Sequence, residues 1–171
     1  MNQKTAMKLF GLLGLLMLLS CGYADRHRNS SSCEQALVDS LEVRVQDSLF
    51  SNVHYSRSQL LEALTQTQDS LVYYRLLALY GKTFFVSSDF DSILYYNRRV
   101  KEFSRNASQS SESLQSPRWN DVLSDVYNIE GNVWMQLNRP DSAITDYKKA
   151  YEYRLRGKKL HLLPDICINT A

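Results

Sequence analysis

Apolar residues recur at helical spacing along most of the chain from residue 33 onward. The segments ALVDSLEVRVQDSLF (36–50) and SRSQLLEALTQ (56–66) place them every third or fourth position, the period of a helix with one buried face. The 171 residues include only six glycines and three prolines, so residues that favour tight turns are scarce. We therefore predict an all-α protein whose first, degenerate helix pair covers residues 33–66.

The chain repeats itself at an interval of fifty residues. YGKTFFVSSDFDSILYYNRRV (80–100) aligns without a gap on EGNVWMQLNRPDSAITDYKKA (130–150). Gly81 then matches Gly131, Phe84 matches Trp134, and an Asp-Ser pair matches an Asp-Ser pair. An internal repeat of this length indicates a structural unit that is used more than once.

Within the second copy, small and aromatic residues alternate at spacings that place them on facing sides of two antiparallel helices. Gly131, Ala143 and Ala150 would let the backbones approach, while Trp134 and Tyr147 would fill the space between one pair and the next. We expect the second helix to begin at Pro140 and to close at Gly157. In the first copy, we expect Asp89 to cap the corresponding helix.

These units resemble the tetratricopeptide repeat, whose 34-residue pattern places small and aromatic residues at set positions. Unit 124–157 matches it throughout, whereas unit 74–107 departs from it at Asn97 and Val100, which leaves the closeness of that helix open. The resemblance implies antiparallel helix pairs stacked as a short right-handed solenoid. The matching residues are Leu77, Gly81, Phe84 and Ile93 in the first unit and Tyr127, Gly131, Trp134, Ala143, Tyr147 and Ala150 in the second.

The resemblance covers most of residues 33–171 and suggests boundaries for the repeats. We predict a repeat over 67–107, a Ser-rich loop over 108–117, a second repeat over 118–157, and the start of a truncated further repeat over 162–171. LPDICINTA (163–171) looks too short for a stable covering helix, with Cys167 at a core position. We therefore expect an apolar face around Tyr151 to be exposed, and the chain to self-associate.

The beginning of the chain has the pattern of an export signal. Lys4 and Lys8 precede an apolar run over 9–19, which is shorter than the ~20 residues that span a bilayer. Leu18-Leu19-Ser20 before Cys21 resembles a bacterial lipobox, which implies a signal peptide over 1–20 and a lipid on Cys21. The alternative is a short uncleaved anchor with an incidental cysteine. Residues 21–32 would then form a flexible tether from a bacterial membrane, on the periplasmic side or at the outer membrane.

The charge balance argues against binding nucleic acid. The chain has 20 basic and 18 acidic side chains, and removing Lys4 and Lys8 leaves 18 of each. A nucleic-acid-binding protein needs an excess of basic residues to displace counterions. The basic residues near the end of unit 118–157 could meet an anionic partner, but we interpret them as a solvated helix end. They are Lys148, Lys149, Arg154, Arg156, Lys158 and Lys159.

No sequence motif points to catalysis, a cofactor or a metal. The chain has no P-loop, GxSxG, HExxH or CxxC motif, so we expect a protein that is not an enzyme. Cys33 and Cys167 could form a disulfide by count, but Cys33 lies close to the tether and we expect them not to pair.

The resemblance also implies a concave groove that binds extended peptides or partner helices. Its residues carried over to this chain would hold a carboxylate (Arg75 and Lys82), bond a peptide backbone (Asn128 and Asn132) and contact apolar side chains (Phe85 and Met135). The alternative is a face that is merely solvated. The carried-over positions are Arg75, Ala78, Lys82, Phe85 and Val86, then Asp125, Asn128, Asn132, Met135 and Gln136.

Two functions follow from these patterns. The first is a lipid-anchored scaffold for proteins of the cell envelope, because the DSILYY and DSAIT phrases with a lipobox resemble repeat lipoproteins of Bacteroides-type bacteria. The second is the sensory part of a longer transcriptional regulator or sensor kinase.

Overall fold

The computed structural model describes residues 35–49, 51–107 and 115–170, and all regular structure in these ranges is helical. The described part of α1 covers 35–48. The following helices are α2 (Val53–Gln66), α3 (Ser70–Lys82), α4 (Phe90–Ala107), α5 (Pro117–Gln136), α6 (Pro140–Leu155) and α7 (Leu163–Thr170). Short 3₁₀ segments follow α3 (Thr83–Ser87) and precede α7 (Leu160–Leu162). The prediction of an all-α chain is confirmed for this part of it.

The helices begin where capping side chains satisfy their first backbone N–H groups. Asn52 accepts from Tyr55 N, and Asp69 accepts from Leu71 N and Val72 N. Asp89 accepts from both the backbone N–H and the hydroxyl of Ser92, which confirms its predicted cap. α6 begins at Pro140, as expected from the fixed φ of proline.

The fifty-residue repeat extends to the turns between the paired helices. Ser88 and Asn138 are equivalent, and both have left-handed backbone conformations, with φ of 54° and 57°. The next residue in each copy closes the same hydrogen bond to the preceding helix. These bonds join Asp89 N to Phe84 O at 3.2 Å and Arg139 N to Trp134 O at 2.8 Å.

Consecutive helices pack in antiparallel pairs. Between α5 and α6, Ser124 Oγ donates to Ala150 O. Trp134 lies further along α5, and its Nε1 donates to Asp146, which comes before Ala150 on α6. Gly131 lies under Tyr147, where an added Cβ would meet the ring at 2.3 Å, so the buried Tyr147 packs within its own pair rather than against the next pair as predicted. The short turn therefore folds α6 back along α5.

The α3–α4 pair settles the question left open at Asn97. An added Cβ on Gly81 would lie 2.9 Å from Tyr96 Cβ, so these helices also approach closely. Asn97 is buried and its Nδ2 donates to Val126 O of α5 at 3.2 Å. The residue that departs from the repeat pattern thus bonds the next pair.

The core consists of apolar clusters that follow one another along the chain. One joins α1, α2 and α3, a second joins α3, α4 and α5, and a third joins α4, α5 and the 3₁₀ segment after α3. Each cluster shares a helix with the next.

The tryptophan that packs between helix pairs is Trp119 rather than the expected Trp134. Trp134 is only half-buried, with its indole N–H bonded to Asp146, so the prediction that it fills the space between pairs is wrong. Trp119 is the buried one, at 1% exposure, against Phe103 of α4 and with Nε1 donating to Ser104 Oγ. Trp134 comes just after Val133, the last buried residue of α5, whereas Trp119 lies near the start of α5 and packs against α4 of the preceding pair.

The segment 163–170 forms a helix, which contradicts the expectation that it is too short. Packing of α7 against α6 buries Ile166, and such tertiary contacts stabilise helices too short to persist alone. Cys167 is exposed, so its predicted core position is also wrong. Cys33 lies outside the described residues, and its pairing stays a prediction.

Candidate partner-binding surface

A groove of about 690 Å³ runs along one face of the described helices. Its walls come mainly from α1, α3, α5 and α7, together with Arg154 of α6 and the connection between α6 and α7. Charged and amide side chains dominate the lining, and Val43, Val122, Leu162 and Ile166 add apolar surface. The groove therefore offers polar recognition with some apolar contact.

Arg75 lies in the groove as predicted, but the chain's own residues hold its guanidinium. It is 5% exposed, and its two terminal nitrogens donate to Gln35 Oε1 at 2.6 Å and Asp39 Oδ1 at 2.8 Å. Glu42 lies 3.8 Å away as a further counter-charge. The carboxylates that Arg75 contacts thus belong to α1, and its role toward a partner stays a prediction.

Lys82 and Asn128 also line the groove, each with a bond to a neighbouring helix. Lys82 Nζ donates to Gln46 Oε1 of α1 at 2.7 Å. Asn128 Oδ1 accepts from Asn169 Nδ2 of α7 at 3.2 Å. Both side chains therefore connect neighbouring walls.

Four further carried-over residues do not line this groove: Phe85, Asn132, Met135 and Gln136. Phe85 packs against the apolar cluster of α4 and α5, and Asn132 accepts from the Tyr147 hydroxyl at 2.8 Å. Met135 and Gln136 are exposed at the end of α5. The structure thus separates the predicted set into groove residues and residues that lie just after α3 or toward the end of α5.

Arg154 is a central groove residue that the sequence analysis placed on a solvated helix end. It is 2% exposed and pairs with Asp121, at 2.8 Å, and with Asp125. That prediction is wrong for Arg154, because burial of a guanidinium requires carboxylate partners. The only signal available in the sequence was the spacing of two aspartates four residues apart on α5, which is too common to identify such a site.

Asp121 also organises the chain after α6. Its two oxygens accept from Lys158 N at 2.9 Å and Lys159 N at 3.1 Å. An added Cβ on Gly157 would lie 2.1 Å from Asp121 Oδ1, so only glycine leaves room for this carboxylate. The predicted helix end near Gly157 is confirmed, since α6 stops at Leu155. Gly157 does not have a positive φ, so the close approach of the Asp121 carboxylate explains why this residue is glycine.

Two ion pairs join α1 to the far side of the groove. Arg118 Nη2 of α5 lies 3.0 Å from Asp39 Oδ2, and Lys159, which follows α6, pairs with Glu42. These residues are partly exposed, so solvent ions screen them. The pairs link the first described helix to the last connection and limit the width of the groove.

The groove lining carries acidic and basic side chains in equal number, but at the two buried arginines the carboxylate partners are the more accessible groups. Arg75 and Arg154 are buried beneath their partners, whereas Asp39 and Asp125 are 45% and 35% exposed. Carboxylates accept hydrogen bonds and do not donate them when ionised. Peptide N–H groups and basic side chains therefore suit this part of the surface.

A buried acid lies outside the groove, between α4, α5 and α6. Glu130 is bonded to Lys101 through one oxygen, and burial raises the pKa of its carboxyl although Lys101 opposes that shift. Beside it, burial raises the pKa of Tyr127 to about 12. The ammonium groups of Lys101 and Lys149 lie 5.2 and 5.1 Å from the Tyr127 ring.

Neither a membrane span nor a metal cluster occurs in the described ranges. None of the helices there is long and apolar enough to cross a bilayer. Nor do three or more His, Cys, Asp or Glu side chains of these residues form a group that could hold a metal ion. The predicted lipidation site Cys21 and the tether lie outside the described residues.

No family model matches the chain, and neither a curated protein nor a solved structure matches it.

Proposed function

We propose that the helix pairs form a short right-handed solenoid of the tetratricopeptide type. Three observations support this arrangement: the fifty-residue repeat of the turns, the core clusters that share helices, and the walls formed by alternate helices. In addition, two hydrogen bonds between α3 and α1, from Arg75 to Asp39 and from Lys82 to Gln46, both join residues that are 36 positions apart. A constant offset is typical of parallel helices, so α1 and α3 run in the same direction, as first helices of successive repeats do.

The groove binds a segment of another protein, and the chain acts as a scaffold rather than a catalyst. The observation that carries this proposal is the ordered array of exposed acceptors at Asp39 and Asp125, held in place by the buried Arg75 and Arg154. Side chains that are fixed before binding lose little conformational entropy when a ligand arrives. An extended peptide or a helix that presents N–H donors and basic side chains fits these acceptors.

A lipid on Cys21 anchors the scaffold to a bacterial membrane on the outer side of the inner membrane or at the outer membrane. The lipobox-like sequence before Cys21 supports this part of the proposal. Two or more acyl chains bind a bilayer tightly, at ~0.8 kcal/mol per buried methylene. Replacing Cys21 by Ser should release the protein from membrane pellets or leave the precursor uncleaved. Intact mass without an added acyl group in the wild-type chain would disprove the anchor.

Photocrosslinking from defined positions tests the groove. A benzophenone amino acid at Val43, which is exposed in the groove, should capture discrete envelope proteins in living cells. The matched control at Tyr95, exposed on α4 outside the groove, should not capture the same proteins. Adding Asp47→Arg and Asp165→Arg should abolish capture at Val43, because these exposed acids line the groove. Equal capture from both probe positions would exclude the groove as the binding site.

A further inference from the structure

The outer face of α6 carries an apolar stripe that the described helices leave uncovered. Ile144, Tyr151 and Leu155 are 40%, 39% and 52% exposed, and they recur at steps of seven and four. Lys148 is also exposed, so the four exposed residues from Ile144 to Leu155 are separated by four, three and four positions. These spacings place all four residues on one narrow face of the helix.

α7 does not remove this stripe, although it packs against α6. The residues of α6 that are buried lie on the remaining face. They are Ala143, Asp146, Tyr147, Ala150 and Arg154. α6 therefore presents one face to its own chain and a second, apolar face to the surroundings.

We propose that a second copy of the chain covers this stripe, with the two α6 helices antiparallel. The four positions are symmetric about a point between Lys149 and Ala150. Ile144 and Leu155 lie equally far from this point in the sequence, and so do Lys148 and Tyr151. A two-fold axis at that point brings Ile144 onto Leu155 of the second copy and Lys148 onto Tyr151 of the second copy. Self-complementarity of this kind is what a two-fold interface between identical chains requires.

The charges on α6 favour the antiparallel orientation over the parallel one. In the antiparallel register, Lys148 lies beside Tyr151 and Glu152 of the second copy, an aromatic ring and a carboxylate. A parallel pair would place Lys148 next to its own equivalent, and like charges repel. The charges on α6 therefore favour a second copy of the chain as the partner, with its α6 antiparallel to the first.

The contact is short, so the dimer is weak and depends on concentration. The stripe extends over about 16 Å at the rise of an α-helix. Interfaces of this size are smaller than those of permanent complexes. Self-association through an apolar face around Tyr151 was also an expectation from the sequence, and the proposal adds the second copy's α6, its direction and its register.

Cysteine crosslinking tests the register directly. The full chain is prepared in mild detergent, which disperses the apolar run over 9–19, with its three native cysteines replaced by serine. Ile144→Cys mixed with Leu155→Cys should form a disulfide-linked dimer under mild oxidation, because these positions face each other. Ile144→Cys alone should not, since the two copies of residue 144 would lie about 16 Å apart along the axis. Equal crosslinking in both samples, or none in the mixture, would overturn the proposal.

A second pair of variants separates the stripe from general apolar surface. Leu155→Glu should weaken self-association about tenfold or more in sedimentation equilibrium, because it buries an unpaired charge at the contact. Leu61→Glu on α2, where the leucine is similarly exposed, is the matched control and should leave self-association unchanged. Unchanged association in Leu155→Glu, or equal loss in both, would show that α6 is not the interface.

Discussion

The helix pairs α3–α4 and α5–α6 have the same turn conformation and a glycine at the equivalent position, but they differ in the balance of aromatic and polar contacts between their helices. Aromatic rings pack α3–α4: Tyr74 stacks on Phe103 at 4.0 Å between centroids, and Tyr80 meets Tyr96 edge-on at 5.2 Å. In α5–α6, Tyr127 also stacks on Tyr153 at 5.7 Å, but hydrogen bonds and a buried ion pair add to this contact, including Ser124 Oγ to Ala150 O at 2.8 Å. One repeated backbone thus accommodates two kinds of interhelical contact.

The difference teaches how register is specified in each pair. Rings contact one another through area and shape, which tolerate small shifts along the helix. Charge-assisted bonds such as Arg154 to Asp121 require particular distances and angles, so they hold α6 at one position along α5. We therefore expect α5–α6 to be more sensitive to loss of a single polar group, and α3–α4 to loss of packed volume.

The largest expected effect is at the contact between the two pairs. Trp119→Ala should lower the free energy of unfolding by about 3–5 kcal/mol, because it removes a buried ring that packs against Phe103. Trp134→Ala, the matched control, should cost about 1–2 kcal/mol, since that ring is half-buried and loses mainly its bond to Asp146. Chemical denaturation followed by circular dichroism measures both. Equal losses would contradict the different burial of the two rings.

The next largest loss of stability is expected from removing the carboxylate that pairs with Arg154 between α5 and α6. Asp121→Ala should cost about 3 kcal/mol, because it leaves the buried Arg154 with one carboxylate and frees the backbone N–H groups of two lysines. Asp125→Ala removes the more exposed partner of the same arginine and should cost less than half as much. Urea titrations of the two variants make the comparison. A smaller loss in Asp121→Ala than in Asp125→Ala would show that Asp121 does not hold α6.

A smaller effect compares the two equivalent glycines. Gly131→Ala should destabilise the protein by about 1–3 kcal/mol, since the new methyl group would overlap the buried ring of Tyr147. Gly81→Ala should cost less, because its new methyl group meets Tyr96 Cβ at the longer distance of 2.9 Å, while the better helix propensity of alanine offsets part of the cost in both variants. Thermal melts of both variants rank them. If Gly81→Ala proves the more damaging, α3–α4 is the tighter pair.

The smallest effect is a gain in stability at the buried acid of α5. Burial raises the pKa of Glu130 in the fold, so its contribution to stability is present below the unfolded pKa and is lost as pH rises through the folded pKa. Glu130→Gln removes this buried charge, so the stability of the variant relative to the wild type should rise from pH 4 to pH 8. Melting temperatures across pH 4–8 test this, with exposed Glu102→Gln as control. A gain that grows on acidification would reverse the assigned sign.

Local patterns predicted the helices and the turns because their causes lie within a few residues. The alignment of Gly81 with Gly131 anticipated two close helix contacts, and Asp89 and Pro140 marked helix starts through capping and a fixed φ. Of the carried-over groove positions, Arg75, Lys82, Asp125 and Asn128 line the groove, since they lie on α3 and α5, which form two of its walls.

The remaining residues of the site could not be predicted because their environment is created by distant parts of the chain. Arg154 has the composition of a solvated helix end, and only the approach of α5 makes it a buried ion-pair partner. Cys167 has an apolar spacing, yet α7 packs so that it faces solvent. Burial is a property of packed elements rather than of a single helix.

The sequence by itself determined which segments are helical, where their turns lie and that two units repeat, because backbone propensity, capping and periodicity are local. Only the tertiary structure decided which tryptophan is buried, why Gly157 must be glycine and which charges face the groove. It also decided that the short α7 persists, since contacts with α6 supply stability that eight residues lack alone. These outcomes depend on contacts between residues far apart in the chain, whose energies no local pattern encodes.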